Sequence, residues 1–137
     1  MGTATVNVFF YGLFMDAEAL RSKGLHPANS RLASVAGMTL RIGQRATLVS
    51  DPAGSVYGFV MGLSHKEIDA LYAEPSVADY RPEPVIAELA DHSLVPALCF
   101  NLPPAKASAE ANPEYAAKLR ALAARLGLPG GYIASIQ

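Results

Sequence analysis

Val6-Asn7-Val8-Phe9-Phe10-Tyr11-Gly12-Leu13-Phe14-Met15-Asp16 is the stretch on which the reading of this chain turns. It opens as an apolar run with β-branched and aromatic residues, the composition of a buried strand, and meets a glycine directly after Tyr11. A glycine there lets the chain turn sharply and lets a ligand come close to the backbone. Asp16, followed by Ala17-Glu18-Ala19-Leu20, reads as a helix N-cap and first turns. The local order is therefore strand, glycine turn, helix. The N–H groups of such a turn, with a helix N-terminus behind them, suit an anionic group such as a carboxylate. Taken alone, the stretch also describes a buried first strand with a tight exit.

The rest of the chain sets the frame. Its 137 residues correspond to one domain, 1–137, with enough length to bury a core without disulfides or metals. Hydrophobic residues at 51% and charged residues at 17% indicate a folded chain, and a net charge of -1 with no basic run argues against a nucleic-acid surface. The single Cys99, between Leu98 and Phe100, reads as a buried small hydrophobe and excludes an intramolecular disulfide. No basic leader and no apolar span of transmembrane length is seen, so the expectation is a cytoplasmic protein without a membrane partner.

Read in order, Asp16 to about Gly24 is a short helix and His26 to Ser30 a loop. Three short extended segments follow, 31–36, 38–42 and 46–49, parted by Gly37 and by Gly43-Gln44-Arg45. Asp51-Pro52-Ala53-Gly54 reads as a turn. Ser55 to Leu63 is a strand with Val56, Gly58, Val60 and Gly62 on one side, and two glycines on one face imply close backbone approach or a curved, barrel-like strand. Ser64 with Glu67 forms a capping box opening a helix that must end by Glu74, because Pro75 disfavours helix at the residue before it. Pro75 to Pro84 is expected as loop, since Pro82 and Pro84 speak against an interior strand. Val85 to Leu89 and Leu94 to Leu102 form a hairpin, and Pro103 to Ala111 is a linker that could act as a lid. Asn112-Pro113 opens the clearest helix, stopped by Gly127. Leu128 to Gly131 then turns the chain into Tyr132–Ile136. Together these predict an α+β fold, a small mixed β-barrel flanked by short helices.

Chemistry-bearing residues are few. His26, His65 and His92 show no metal-ligand spacing, and neither a phosphate-binding glycine loop nor a nucleophile elbow is present, so no metal or cofactor is expected. Glu74 is the carboxylate in an unusual place, at a helix end beside Leu71-Tyr72-Ala73 and Pro75. A carboxyl packed on apolar side chains has its charged form disfavoured, which moves its pKa toward the range of proton transfer. On local sequence alone the reading that wins is an exposed end-of-helix acid, since most glutamates are exposed.

The whole chain, from about Val6 to Ile136, resembles the gamma-glutamylcyclotransferase-like family, which includes the AIG2-like and ChaC-like proteins. Phe9-Phe10-Tyr11-Gly12-Leu13-Phe14 is similar to that family's Tyr-Gly-Ser/Thr-Leu loop. Val35-Ala36-Gly37-Met38-Thr39-Leu40, then Gly54 to Val60, then Leu63 with Glu67 to Leu71, follow the family's order and spacing. Glu74 with Tyr80-Arg81, and the Asn112-Pro113-Glu114-Tyr115 helix running to Gly127-Leu128-Pro129 and Tyr132-Ile133, are similar to its later elements.

The resemblance implies a small barrel whose first-strand loop floors a pocket. Backbone groups of Tyr11, Gly12, Leu13 and Phe14, with Tyr80 nearby, would bind a small γ-glutamyl substrate. Glu74 would be the catalytic acid/base of a transferase or lyase reaction: the substrate's α-amine attacks its own γ-carbonyl, giving 5-oxoproline and a released amine or amino acid. Nucleophile and electrophile share one molecule, so positioning supplies much of the rate and no cofactor is needed. Two departures stand out. Leu13 replaces the family's hydroxyl residue, and the family's Leu-Asp-x-x-Glu spacing falls on Tyr72, with Glu74 two residues late, roughly 3 Å and about 200° further along a helix. The alternative is a catalytically inactive binding module on the same fold.

Overall fold

A computed structural model describes residues 5–103 and 112–136. The strand expected at the N-terminus is β1, Thr5–Phe10. It leads through Tyr11-Gly12 into a 3₁₀ turn, Leu13–Met15, and a short helix α1, Ala17–Ser22. Asp16 caps α1 by accepting the Glu18 N–H, and Gly24, at φ +87°, closes it. Two long strands follow, β2 (Ala28–Ile42) and β3 (Ala46–Ser64), then helix α2 (His65–Leu71). β4 (Arg81–Leu89) and β5 (Leu94–Asn101) form the expected hairpin. Helices α3 (Pro113–Leu126) and α4 (Gly130–Ser135) complete the described chain.

The five strands close into a barrel in the order β1-β3-β2-β4-β5. All neighbours are antiparallel except β1 and β5, which run parallel and meet at Val8 and Leu98. The mixed barrel with short helices is the fold class expected from the sequence. Val8, Phe9, Val56, Val60, Met61, Leu63, Ala87 and Cys99 are buried among its core residues. Gly58 does what two glycines on one face of this strand implied: a Cβ there would lie 2.1 Å from the Phe10 carbonyl oxygen. Its absence lets β3 press against β1.

Several boundaries differ from expectation, each for a physical reason. The segments 31–36 and 38–42 are one strand, because Gly37, at φ +84°, makes a bulge without ending the pairing. Asp51-Pro52-Ala53-Gly54 does not reverse the chain. Ser50 still pairs Met38 and Ser55 pairs Ala36, so these four residues bow out opposite Gly37 within β3. The loop expected up to Pro84 ends earlier, since Pro82 and Pro84 lie inside β4. They are tolerated because this half of β4 pairs with β5 alone, while its pairs with β2 fall at Glu88 and Leu89. Gly130 and Gly131 start a helix rather than finishing a turn. The proposed lid at Pro103 to Ala111 lies, after Pro103, outside the described residues.

The capping box is present as read: Ser64 Oγ accepts the Glu67 N–H at 3.1 Å, and Glu67 Oε1 accepts the Ser64 N–H at 3.0 Å. The other carboxylate oxygen accepts the His26 N–H at 2.7 Å, tying the α1–β2 loop to α2. The Ser64 N–H first, then that of His26, hold the Glu67 carboxyl below its ordinary range. A depressed acid contributes stability that is complete above its unfolded pKa of about 4.3 and is lost as pH falls through the folded value. Urea midpoints measured from pH 7 down to pH 3 should therefore fall less steeply for Glu67→Gln than for wild type. Ser64→Ala should cost about 1 kcal/mol at neutral pH, read from the same transitions.

Candidate functional site

One mouth of the barrel carries a cavity of about 270 Å³. Four segments build it. The exit of β1 supplies Phe10, Tyr11, Gly12, Leu13 and Phe14, and the β2–β3 connection supplies Gln44, Arg45 and Ala46. The stretch from α2 to β4 brings Tyr72, Ser76, Val77 and Tyr80, while Phe100 comes from β5 and Tyr115 from α3.

The floor is set by hydrogen bonds from phenols to backbone. Tyr11 Oη donates to the Phe100 carbonyl at 2.7 Å, joining the end of β1 to β5. Tyr80 Oη donates to the Ala46 carbonyl, and Arg45 Nη1 meets Asp79 Oδ2 at 3.0 Å, so the α2–β4 stretch is fastened to the β2–β3 connection twice. Tyr115 Oη accepts the Leu13 N–H at 3.4 Å. Gly12 permits that approach, since a Cβ there would sit 2.8 Å from the Tyr115 oxygen. The first-strand turn thus spends one of its donors on the Tyr115 phenol oxygen.

The walls are aromatic. Tyr72 stacks on Phe100 with centroids 4.1 Å apart and planes 15° apart. Phe14 meets Tyr72 edge-on at 6.3 Å, and Tyr80 lies 6.2 Å from Tyr72. Burial pushes the phenols of Tyr11, Tyr72, Tyr80 and Tyr115 above their ordinary range, so all four are protonated donors at neutral pH. Cys99 is buried beside this cluster, and burial, then the charge of Glu83, pushes its thiol up to about 12. Native protein at pH 8 should accordingly resist iodoacetamide, and urea-unfolded protein should take one label, as mass spectrometry will read.

Of the residues singled out in the sequence, Tyr11, Gly12, Leu13, Phe14 and Tyr80 all line the cavity. Glu74 does not. Helix α2 ends at Leu71 with Tyr72 as its C-cap, and the next turn, closed by the Val77 N–H on the Glu74 carbonyl, carries the Glu74 side chain outward. Its carboxylate is 46% exposed and pairs with Lys23 Nζ at 3.1 Å, rather than packing on Leu71-Tyr72-Ala73. Lys23 in turn stands 5.8 Å over the Phe14 ring, which places the ion pair beside a cavity wall. Tyr72, at the position where the sequence resemblance implies an acid, is the residue that lines the cavity. No carboxylate lines it among the described residues. Phe100 and Tyr115 were not singled out by the sequence as site residues, because each reads locally as core of a strand or helix.

Solved structures share this architecture. A gamma-glutamyl cyclotransferase superposes with a TM-score of 0.77 at 17% identity, over 97% of this chain and 88% of that one. The chain has a gamma-glutamylcyclotransferase-like fold. An uncharacterized human protein with the same fold gives a TM-score of 0.79 at 17% identity, over 98% of this chain and 89% of its own. A mouse AIG2-like protein gives 0.56 at 14%, over 92% and 85%. No family model matches the sequence, and no curated protein sequence matches it significantly. Among the described residues, no group of three His, Cys, Asp or Glu is placed to hold a metal, and no helix is long and apolar enough to cross a membrane.

Proposed function

We propose that this chain is a small-molecule binding protein on the cyclotransferase fold, holding a γ-glutamyl-type acyl compound in the barrel-mouth cavity without cyclising it. The observation that carries this reading is the exchange at the end of α2: the Tyr72 ring lines the cavity, stacked on Phe100, and the nearest candidate acid, Glu74, faces Lys23. Cyclisation needs a base within about 3 Å of the substrate amine, directly or through one water. Phenols held protonated by burial do not supply one at neutral pH. Tyr11 and Tyr80 spend their hydroxyl hydrogens on the Phe100 and Ala46 carbonyls, while the Tyr72 and Tyr115 hydroxyls can donate to carbonyl and carboxylate oxygens, which is what an acyl ligand requires.

A second reading, a cyclotransferase using Glu74, draws support from the position of the Lys23–Glu74 pair beside Phe14. Turning the α2–β4 stretch inward would exchange Lys23 for a substrate ammonium as the partner of the carboxylate. The two readings part in one experiment, in which γ-glutamyl dipeptides, γ-glutamylamines and glutathione are followed for binding by calorimetry and for 5-oxoproline release by chromatography. Saturable binding with no release supports the binding protein. Release that falls at least about a hundredfold in Glu74→Gln establishes the enzyme and overturns it. Neither binding nor release removes both.

A further inference from the structure

The geometry points to a ligand with two unlike ends: a single aromatic ring held by Phe14, Tyr72 and Phe100, and a carboxylate on a short chain held by Arg45 and Tyr115. This rests on the cavity being a ligand site, as proposed above, and it names the chemistry that the site selects.

The ring end follows from the wall. Tyr72 is already stacked on Phe100, with Phe14 edge-on to Tyr72 and Phe10 edge-on to Phe14 at 6.4 Å. Such a cluster extends readily by one more ring, because each exposed edge or face offers a further offset or T-shaped contact. The volume, about 270 Å³, lies just below the usual range of ligand sites and suits one ring and a short arm.

The carboxylate end follows from the donors. Arg45 and Tyr115 line the same cavity as Tyr80, whose ring adjoins Tyr72. Asp79 is paired with one guanidinium nitrogen, Nη1, at 3.0 Å, and a guanidinium carries five N–H groups. A ligand carboxylate can take a second edge of Arg45 in the paired geometry that this group favours. The Tyr115 oxygen already accepts from Leu13, which leaves its hydrogen to donate. Arg45 and Tyr115 thus each offer an N–H or O–H hydrogen to the ligand. A ligand ammonium would find no carboxylate among the described lining residues.

The test compares three probes on the folded full chain by ligand-observed NMR and calorimetry: 3-phenylpropanoate, 3-phenylpropylamine and hexanoate. Expected is binding of 3-phenylpropanoate at least about tenfold tighter than that of either other probe. Arg45→Met should remove most of the preference over the amine, and Phe14→Leu most of the preference over hexanoate, with thermal melts showing that both variants are folded. Equal or tighter binding of the amine overturns the carboxylate end, and equal binding of hexanoate overturns the ring end. Binding of γ-glutamyl compounds with none of 3-phenylpropanoate overturns this assignment while leaving the binding protein standing. No saturable binding of any compound up to about 10 mM removes both.

Discussion

Gly58→Ala should destabilise the barrel by about 3 kcal/mol, lowering the urea midpoint by about 1 to 2 M. The added methyl would stand 2.1 Å from the Phe10 oxygen and 3.0 Å from the Phe10 carbonyl carbon. Both are backbone atoms of the paired strand, so no rotamer change relieves the overlap. Relief requires parting β1 from β3 where Phe10 pairs Phe59, at the edge of the cavity. Gly130→Ala is the control. A Cβ there meets nothing within 4 Å, and the position opens a helix, so that variant should be neutral or slightly stabilising. An unchanged midpoint for Gly58→Ala would mean that the two strands are not held this closely.

Tyr72→Glu should be about as damaging at neutral pH, costing about 3 to 5 kcal/mol, and its cost should depend on pH. The substitution removes a ring stacked on Phe100 and flanked by Phe14 and Tyr80, and puts a carboxyl in its place. Among these rings the charged form is poorly solvated, so the folded pKa rises above the unfolded value. An acid raised on folding adds no penalty at low pH. The penalty grows as pH climbs from the unfolded pKa, about 4.3, and levels off above the folded one. Thermal melts from pH 4 to pH 8 should show the variant approaching wild type toward the acid end. A deficit independent of pH would mean that the new carboxylate turns out to solvent, as Glu74 does.

Much of the architecture could be read from local chemistry. Asp16 and Ser64 as caps, and Asn112-Pro113 and Gly127 as the ends of α3, all act within a few residues, and each sits where its chemistry requires. What escaped depends on partners distant in the chain. Pro82 and Pro84 look like strand breakers until the missing second neighbour of that half of β4 is known. Asp51-Pro52-Ala53-Gly54 looks like a reversal until Gly37 is found opposite. The site divides the same way: the consecutive run Tyr11-Gly12-Leu13-Phe14 is legible, whereas Phe100 and Tyr115 reach the cavity only through barrel closure and helix docking. Glu74 shows the sharpest limit. Its neighbours in sequence are apolar, but the turn after Tyr72 decides which way it faces.

Closure by a parallel contact between the first strand and the last also orders events during synthesis. The tie from Tyr11 to Phe100 spans 89 residues, and the nearest pairing surface for β1 is Phe59–Ser64. At about 5 to 20 residues per second, β1 leaves the ribosome roughly 3 to 10 s before that surface exists. In this interval Phe9, Phe10 and Tyr11, all buried in the finished barrel, have no strand to cover them. The nascent chain therefore exposes one of its stickiest segments before the strand that covers it, and chaperone demand should be set by how fast β3 follows.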